Sequence, residues 1–548
     1  MNSCMNETVC PGPEAPYKPC HSTILRQGIS RHQVGDLNGA MDCYERALRI
    51  RLEAPSPEVD QGNMSRSDES FCPANATVQG GLTLPEPQLV GDDAKNDSSL
   101  IGMGRYVKPL LHEAFHDLGE EATTAVLLFN ISLIKISQQY FKVAANLLHL
   151  ALLDMYKIEE KVTDRTEGGS SSSTILRLMI CTNLGHALYR LRRFDEAANR
   201  FEESASLPGM MLEHARRRQI AASRRDMGSA DSIRNFLRTL IGTLLHTARA
   251  RDAAGNMPEQ ALALAREARG LCETLLTCFS TFDQNDDAGQ QEDYAKARVD
   301  GGLSTIAAYV EAIVQHRRCK IDQAEVLYRQ CLEGILSDEC PPTSSSSPSS
   351  LGGALPFAPL RSASLYGLGR ALFQRRRVEE SVAYLRTAWS LRARALGEAH
   401  PDTIEAFYSM GRALHDADEL TDALSVYERA HRLQVRLRGP GHPDSLRTLC
   451  NVARVRRTCG LQSEALEACK EAVREGKATL GERHAFVLDM LTMTGAILHD
   501  IGRPSEASAV LYEVLRCVDD SQAKMDDLLS NCPASSFLAG VAPGAAAA

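Results

Sequence analysis

Between Thr403 and Leu437 the chain reads TIEAFYSMGRALHDADELTDALSVYERAHRLQVRL, with apolar residues recurring at steps of three and four. That is the period of a helix burying one face. The pattern predicts a helix, a short polar break, and a second helix. Asp402 followed by Glu405 predicts the start of the first, a side-chain acceptor with a carboxylate reaching back. Gly411 on the first helix and Ala423 on the second are small enough to let the two approach closely, and Tyr427 and Ala430 are expected to fill the space between repeats.

The same hydrophobic pattern returns along the chain. The turns "LGEAHPDT", "RGPGHPDS" and "LGERHAFV" carry His400, His442 and His484, each 42 residues from the next, and Pro359 lies 42 residues before Pro401. The small residue of the first helix is followed by partners 12, 16 and 19 positions later. Gly411, Ala423, Tyr427 and Ala430 set the pattern. Gly369, Ser381, Leu385 and Ala388 repeat it, as do the sets beginning at Ala453 and Gly495. More diverged copies begin at Gly28, Ser132, Gly185 and Ala312. A weak copy surrounds Ala261, Ala265 and Ala268, with its first helix out of register. About nine helical hairpins are expected.

This small–small–aromatic–small order resembles the tetratricopeptide repeat. The long period, with the excess in the "LG-x-x-HPDT" turn, is similar to the repeats of kinesin light chain-type proteins over about Ala358–Asp520. The resemblance implies an all-α tetratricopeptide-type solenoid acting as a scaffold or adaptor. Residues 1–20 are expected to be a disordered tail, 21–54 an isolated repeat and 55–100 a disordered insert rich in Pro, Ser, Gly, Asn and Asp. Residues 101–337 form diverged repeats, 338–361 a Ser/Pro-rich flexible linker between two blocks, 362–520 the regular repeats, and 521–548 a flexible tail.

Composition narrows the function. Lys and Arg number 61 against 70 Asp and Glu, a formal charge of −9, which argues against a nucleic-acid-binding array. No apolar run approaches membrane-spanning length. The 16 cysteines are scattered with no C-x-x-C pair, and the first twenty residues lack the apolar core of a secretory signal. They read as reduced thiols in a cytoplasmic protein. The basic run "HARRRQIAASRRD" at 214–226 reads as a solvated helix.

One stretch carries the spelling of an enzyme. "LLHEAFHDLGEE" places His112, Glu113 and His116 in the H-E-x-x-H arrangement of a zinc metallopeptidase helix. The longer metzincin pattern continues through Gly119, yet Ala122 stands where its third histidine belongs. Leu110, Leu111, Ala114, Phe115 and Leu118 form an apolar stripe at helical spacing, so the segment reads first as a packing helix. A zinc peptidase on His112 and His116 is the alternative. No other catalytic motif is present, and no cofactor is expected.

Binding residues follow from the resemblance. In tetratricopeptide arrays the first helix lines the concave face, and the position after its small residue faces the groove. Arg370, Arg412 and Arg454 occupy that position, each 42 residues from the next, with Arg457 one turn beyond the last. His415 and Phe373 take the equivalent of Arg457 in their repeats. Guanidinium groups in a row would pair with carboxylates of an extended acidic peptide. Two positions before the small residue, the family often places an asparagine that bonds a peptide backbone; here these are Asn130, Asn183 and Asn451.

Overall fold

The computed structural model describes residues 21–53, 106–110, 121–163, 171–221, 230–255, 257–278, 287–339 and 357–530. Among them are eighteen α-helices and no strand. They are α1 His21–Val34, α2 Leu37–Glu53, α3 Glu121–Ser137, α4 Phe141–Thr163, α5 Ser171–Arg190, α6 Phe194–Ala221, α7 Ala230–Ala254, α8 Pro258–Cys278 and α9 Asp287–Arg317. The series continues with α10 Ile321–Glu339, α11 Phe357–Gln374, α12 Val378–Leu396, α13 Pro401–Asp416, α14 Leu420–Arg438, α15 Pro443–Thr458, α16 Gln462–Leu480, α17 Ala485–Asp500 and α18 Pro504–Ser530.

Two compact units result. Unit 1 runs to Arg318 and includes the end of α10 from Gly334; unit 2 holds Cys319–Glu333 and the chain from α11 onward. One boundary between the units falls within α10, between Glu333 and Gly334. Helix α11 begins at Phe357 and α18 continues to Ser530, so both extend into stretches read from sequence as linker and tail.

The spacing of 16 has a direct steric cause. A Cβ placed on Gly28 would lie 2.7 Å from the ring of Tyr44, and one on Gly185 2.6 Å from the ring of Phe201. The same construction brings Gly369 within 2.7 Å of Leu385, Gly411 within 3.0 Å of Tyr427 and Gly495 within 2.9 Å of Leu511. Each large side chain thus lies against the bare backbone of its own hairpin's first helix. Ser381 adds a hydrogen bond from its hydroxyl to the Gly369 carbonyl at 2.8 Å. In the weak copy Arg249 stands where the small residue belongs; it is buried, with a carboxylate oxygen of Asp252 3.9 Å from its guanidinium.

The long turns also resolve into physics. Gly397, Gly439 and Gly481 take φ of 90 to 92° with an extended ψ, a conformation that side-chain-bearing residues rarely adopt. Three residues later His400, His442 and His484 cap the next helix, each Nδ1 accepting the backbone N–H two residues on at 3.2 Å. The cap is therefore the histidine and not Asp402. Pro401 occupies the first helical position, where a missing N–H costs nothing, and this sets the cap one residue earlier. Asp402 lies inside the first turn, where its charge suits the helix dipole.

Candidate peptide-binding grooves

In unit 2 the predicted arginines lie on three first helices of the regular repeats: Arg370 on α11, Arg412 on α13, and Arg454 and Arg457 on α15. Arg370, Arg412 and Arg454 are all exposed. None of the three makes an ion pair with a carboxylate among the described residues. Two are steadied by aromatic rings instead. The guanidinium of Arg370 sits 5.7 Å from the centre of the Tyr366 ring, and that of Arg412 5.0 Å from the Phe373 ring on the preceding repeat. Such stacking holds the planar fork without neutralising it.

Arg457 differs. Its guanidinium donates to Asp500 Oδ2 at 2.9 and 3.0 Å, so an internal carboxylate already holds its charge. Arg454 and Arg457 line a cavity of about 720 Å³ together with His415, Asp489, Met493 and Asp500. This end of the row is mixed in charge. Asn451 donates from Nδ2 to the Tyr408 hydroxyl at 2.9 Å, which commits its amide to a neighbouring repeat. Tyr366 donates to Glu405 at 3.0 Å and lies 3.2 Å from the Ser409 hydroxyl; burial, then the Glu405 charge, pushes its pKa up to about 12. Tyr366, Tyr408, Asp489 and Asp500 were not singled out from sequence, because a site spread over four repeats leaves no local signature.

Asn130 and Asn183 lie in unit 1, on α3 and α5. Both are fully buried. Each uses both ends of its amide on one residue of the irregular segment 106–110. Asn183 accepts from the Tyr106 N–H at 2.8 Å and donates to the Tyr106 carbonyl at 2.9 Å. Asn130 accepts from the Leu110 N–H at 2.7 Å and donates to the Leu110 carbonyl at 2.9 Å. The two asparagines therefore hold a stretch of backbone, and the stretch belongs to this chain.

The H-E-x-x-H residues His112, Glu113 and His116 lie outside the described residues. Ala122 is buried in the hydrophobic core of unit 1. Among the described residues no group of three or more His, Cys, Asp or Glu side chains could hold a metal ion, and no helix is long and apolar enough to cross a membrane.

Tetratricopeptide repeat family models match residues 360–434, 408–474 and 177–207. Tetratricopeptide repeats therefore lie within residues 177–207 and 360–474. The first matches fall on the regular 42-residue block, and the last covers the hairpin that holds Asn183. No curated protein matches. Among solved structures, one similar to this chain is a putative kinesin light chain with nearly identical TPR-like repeats from Podosopora anserina. It is 22% identical, covers 40% of this chain and 95% of its own, and has a TM-score of 0.33. YrrB, a TPR protein with an unusual peptide-binding site, is 17% identical over 45% of this chain and 89% of its own, with a TM-score of 0.28. The quorum sensor NprR from B. thuringiensis is 11% identical over 78% of this chain and 98% of its own, with a TM-score of 0.38.

Proposed function

We propose that this protein is a non-enzymatic scaffold whose regular repeats bind an extended, acidic peptide segment of a partner protein. The observation that carries the reading is the row Arg370, Arg412 and Arg454. Three exposed guanidiniums recur at one position of successive first helices, and two are steadied by aromatic stacking. A carboxylate arriving there gains charge-assisted, bidentate hydrogen bonds and displaces no internal partner. Arg457 and Asn451 serve as positioning residues at the end of the row, since both are held by internal partners. The nine free cysteines among the described residues suit a cytoplasmic, reducing setting.

The test is retrieval of partners with the full chain as bait, wild type against the R370E/R412E/R454E variant, read by mass spectrometry. The variant is expected to lose partners bearing acidic, unstructured segments while its helical circular dichroism is unchanged. Recovery of the same set by both baits refutes the arginine row as the binding element.

A further inference from the structure

The stretch Tyr106–Leu110 is bound in unit 1 as a peptide ligand is bound. Its backbone makes no helix, and among the described residues its only backbone hydrogen bonds are the four given to Asn130 and Asn183. The clasps fall on residues four apart, on the first helices of two successive hairpins. The segment runs against the order of the array, with its N-terminal end on the later hairpin. Each clasp reads N–H and C=O alone, so any extended backbone with that spacing satisfies both asparagines.

The side chains supply what selectivity there is. Tyr106 is 2% exposed and joins the core formed by α3 to α7. Val107, Pro109 and Leu110 are half-buried, and Lys108 is exposed. Pro109 fixes its own φ and biases Lys108 toward extended backbone, so the segment is pre-shaped for the groove. Its missing N–H is no loss, because neither asparagine reaches that position. The Tyr106 hydroxyl is buried and has no hydrogen-bond partner among the described residues. A hydroxyl left so is a desolvation cost that phenylalanine at the same place does not carry.

We propose that the Asn130–Asn183 clamp is a second docking site, for an extended partner segment with an aromatic anchor and a Pro-aliphatic pair three and four residues on, and that Tyr106–Leu110 is its resident occupant in cis. The cis segment blocks the site because tethering gives it an effective concentration in the millimolar range. A partner gains entry by presenting a better anchor, such as phenylalanine, or by binding elsewhere on the chain as well. Releasing the segment alone exposes the apolar seat of Tyr106 to water, so exchange for another anchored backbone is favoured over an empty groove.

The experiment uses the full chain and a fluorescent peptide of sequence RYVKPLL, with its Phe analogue RFVKPLL. In a Tyr106→Gly/Pro109→Gly variant, whose resident segment is weakened, peptide affinity is expected to rise at least tenfold over wild type. The Phe peptide is expected to bind severalfold tighter than the Tyr peptide. Adding Asn130→Ala and Asn183→Ala to that background is expected to remove the gain. The charge-reversed unit 2 variant R370E/R412E/R454E is expected to leave peptide binding unchanged, so failure of one groove is read separately from failure of the other. No gain in a variant of wild-type helicity overturns the proposal. If that variant does not fold, amide hydrogen exchange on the wild-type chain decides. Faster exchange at Tyr106 and Leu110 than in the surrounding helices, changed by excess Phe peptide, supports a detachable ligand. Exchange at the rate of global unfolding, unmoved by peptide, overturns it.

Discussion

Substituting the first small residue of a hairpin tests the packing rule on which the repeats rest. Alanine at Gly185 would bring its Cβ within 2.6 to 2.8 Å of three atoms of the Phe201 ring, and that ring is fully buried. Two effects oppose each other. A helix-interior glycine replaced by alanine gains about 1 kcal/mol in backbone propensity. Overpacking against a ring that cannot retreat costs about 1–3 kcal/mol. The net for Gly185→Ala is destabilisation by roughly 0–2 kcal/mol. Gly270, on the exposed face of α8 in the same unit, has nothing within 4 Å of the place an alanine methyl would take. Gly270→Ala keeps the propensity gain alone, about 1 kcal/mol of stabilisation. At about 1–2 °C per kcal/mol for a unit of this size, the two variants should melt on opposite sides of wild type. Scanning calorimetry of both reads the difference directly. In a Phe201→Ala background, the same Gly185→Ala change should become stabilising, because the ring that opposed it is gone. Stabilisation by Gly185→Ala beside an intact Phe201 refutes the steric account of the 16-residue spacing.

Three further outcomes are expected. His442→Ala should cost about 1 kcal/mol by removing the cap on α15, whereas His442→Asn should retain it; urea midpoints distinguish the two. His246 is buried beside the Phe201 ring, and burial, then the nearby His186 charge, depress its pKa from 6.5 to about 3. The native state therefore binds fewer protons than the unfolded chain, so this contribution is complete above pH 6.5 and is lost as pH falls from 6.5 toward 3. Urea midpoints taken across that interval should fall with pH, and His246→Gln should flatten the decline. Chelator-free protein should contain no stoichiometric zinc by atomic absorption; stoichiometric zinc that disappears in His116→Ala would restore the metallopeptidase reading.

The architecture was legible because it rests on local, repeated constraints. A glycine facing a ring 16 residues later, and a glycine with positive φ before a His-Pro turn, leave marks at fixed spacing. Asp402 reads as the cap from sequence because aspartate is the commoner cap, while Pro401 fixes the first helical position and leaves the role to His400. The row Arg370, Arg412 and Arg454 was visible as a 42-residue period. What occupies the neighbouring side chains was not, because it depends on pairs far apart in sequence. Arg457 meets Asp500 across 43 residues, and Asn183 meets Tyr106 across 77. No periodicity in the chain marks Tyr106–Leu110 as the backbone that two predicted peptide-binding asparagines hold.

The central claim is that carboxylates of an extended partner are read by three exposed guanidiniums in unit 2. Fluorescence anisotropy with a labelled peptide of about ten residues rich in Asp and Glu, titrated with the full chain at several ionic strengths, measures this most directly. Three partly exposed charge pairs at about 0.5–1 kcal/mol each amount to roughly a tenfold to hundredfold change in affinity. The account predicts that loss in R370E/R412E/R454E, and steady weakening of wild-type binding as salt rises. Equal affinity in both proteins, or binding indifferent to salt, would contradict it.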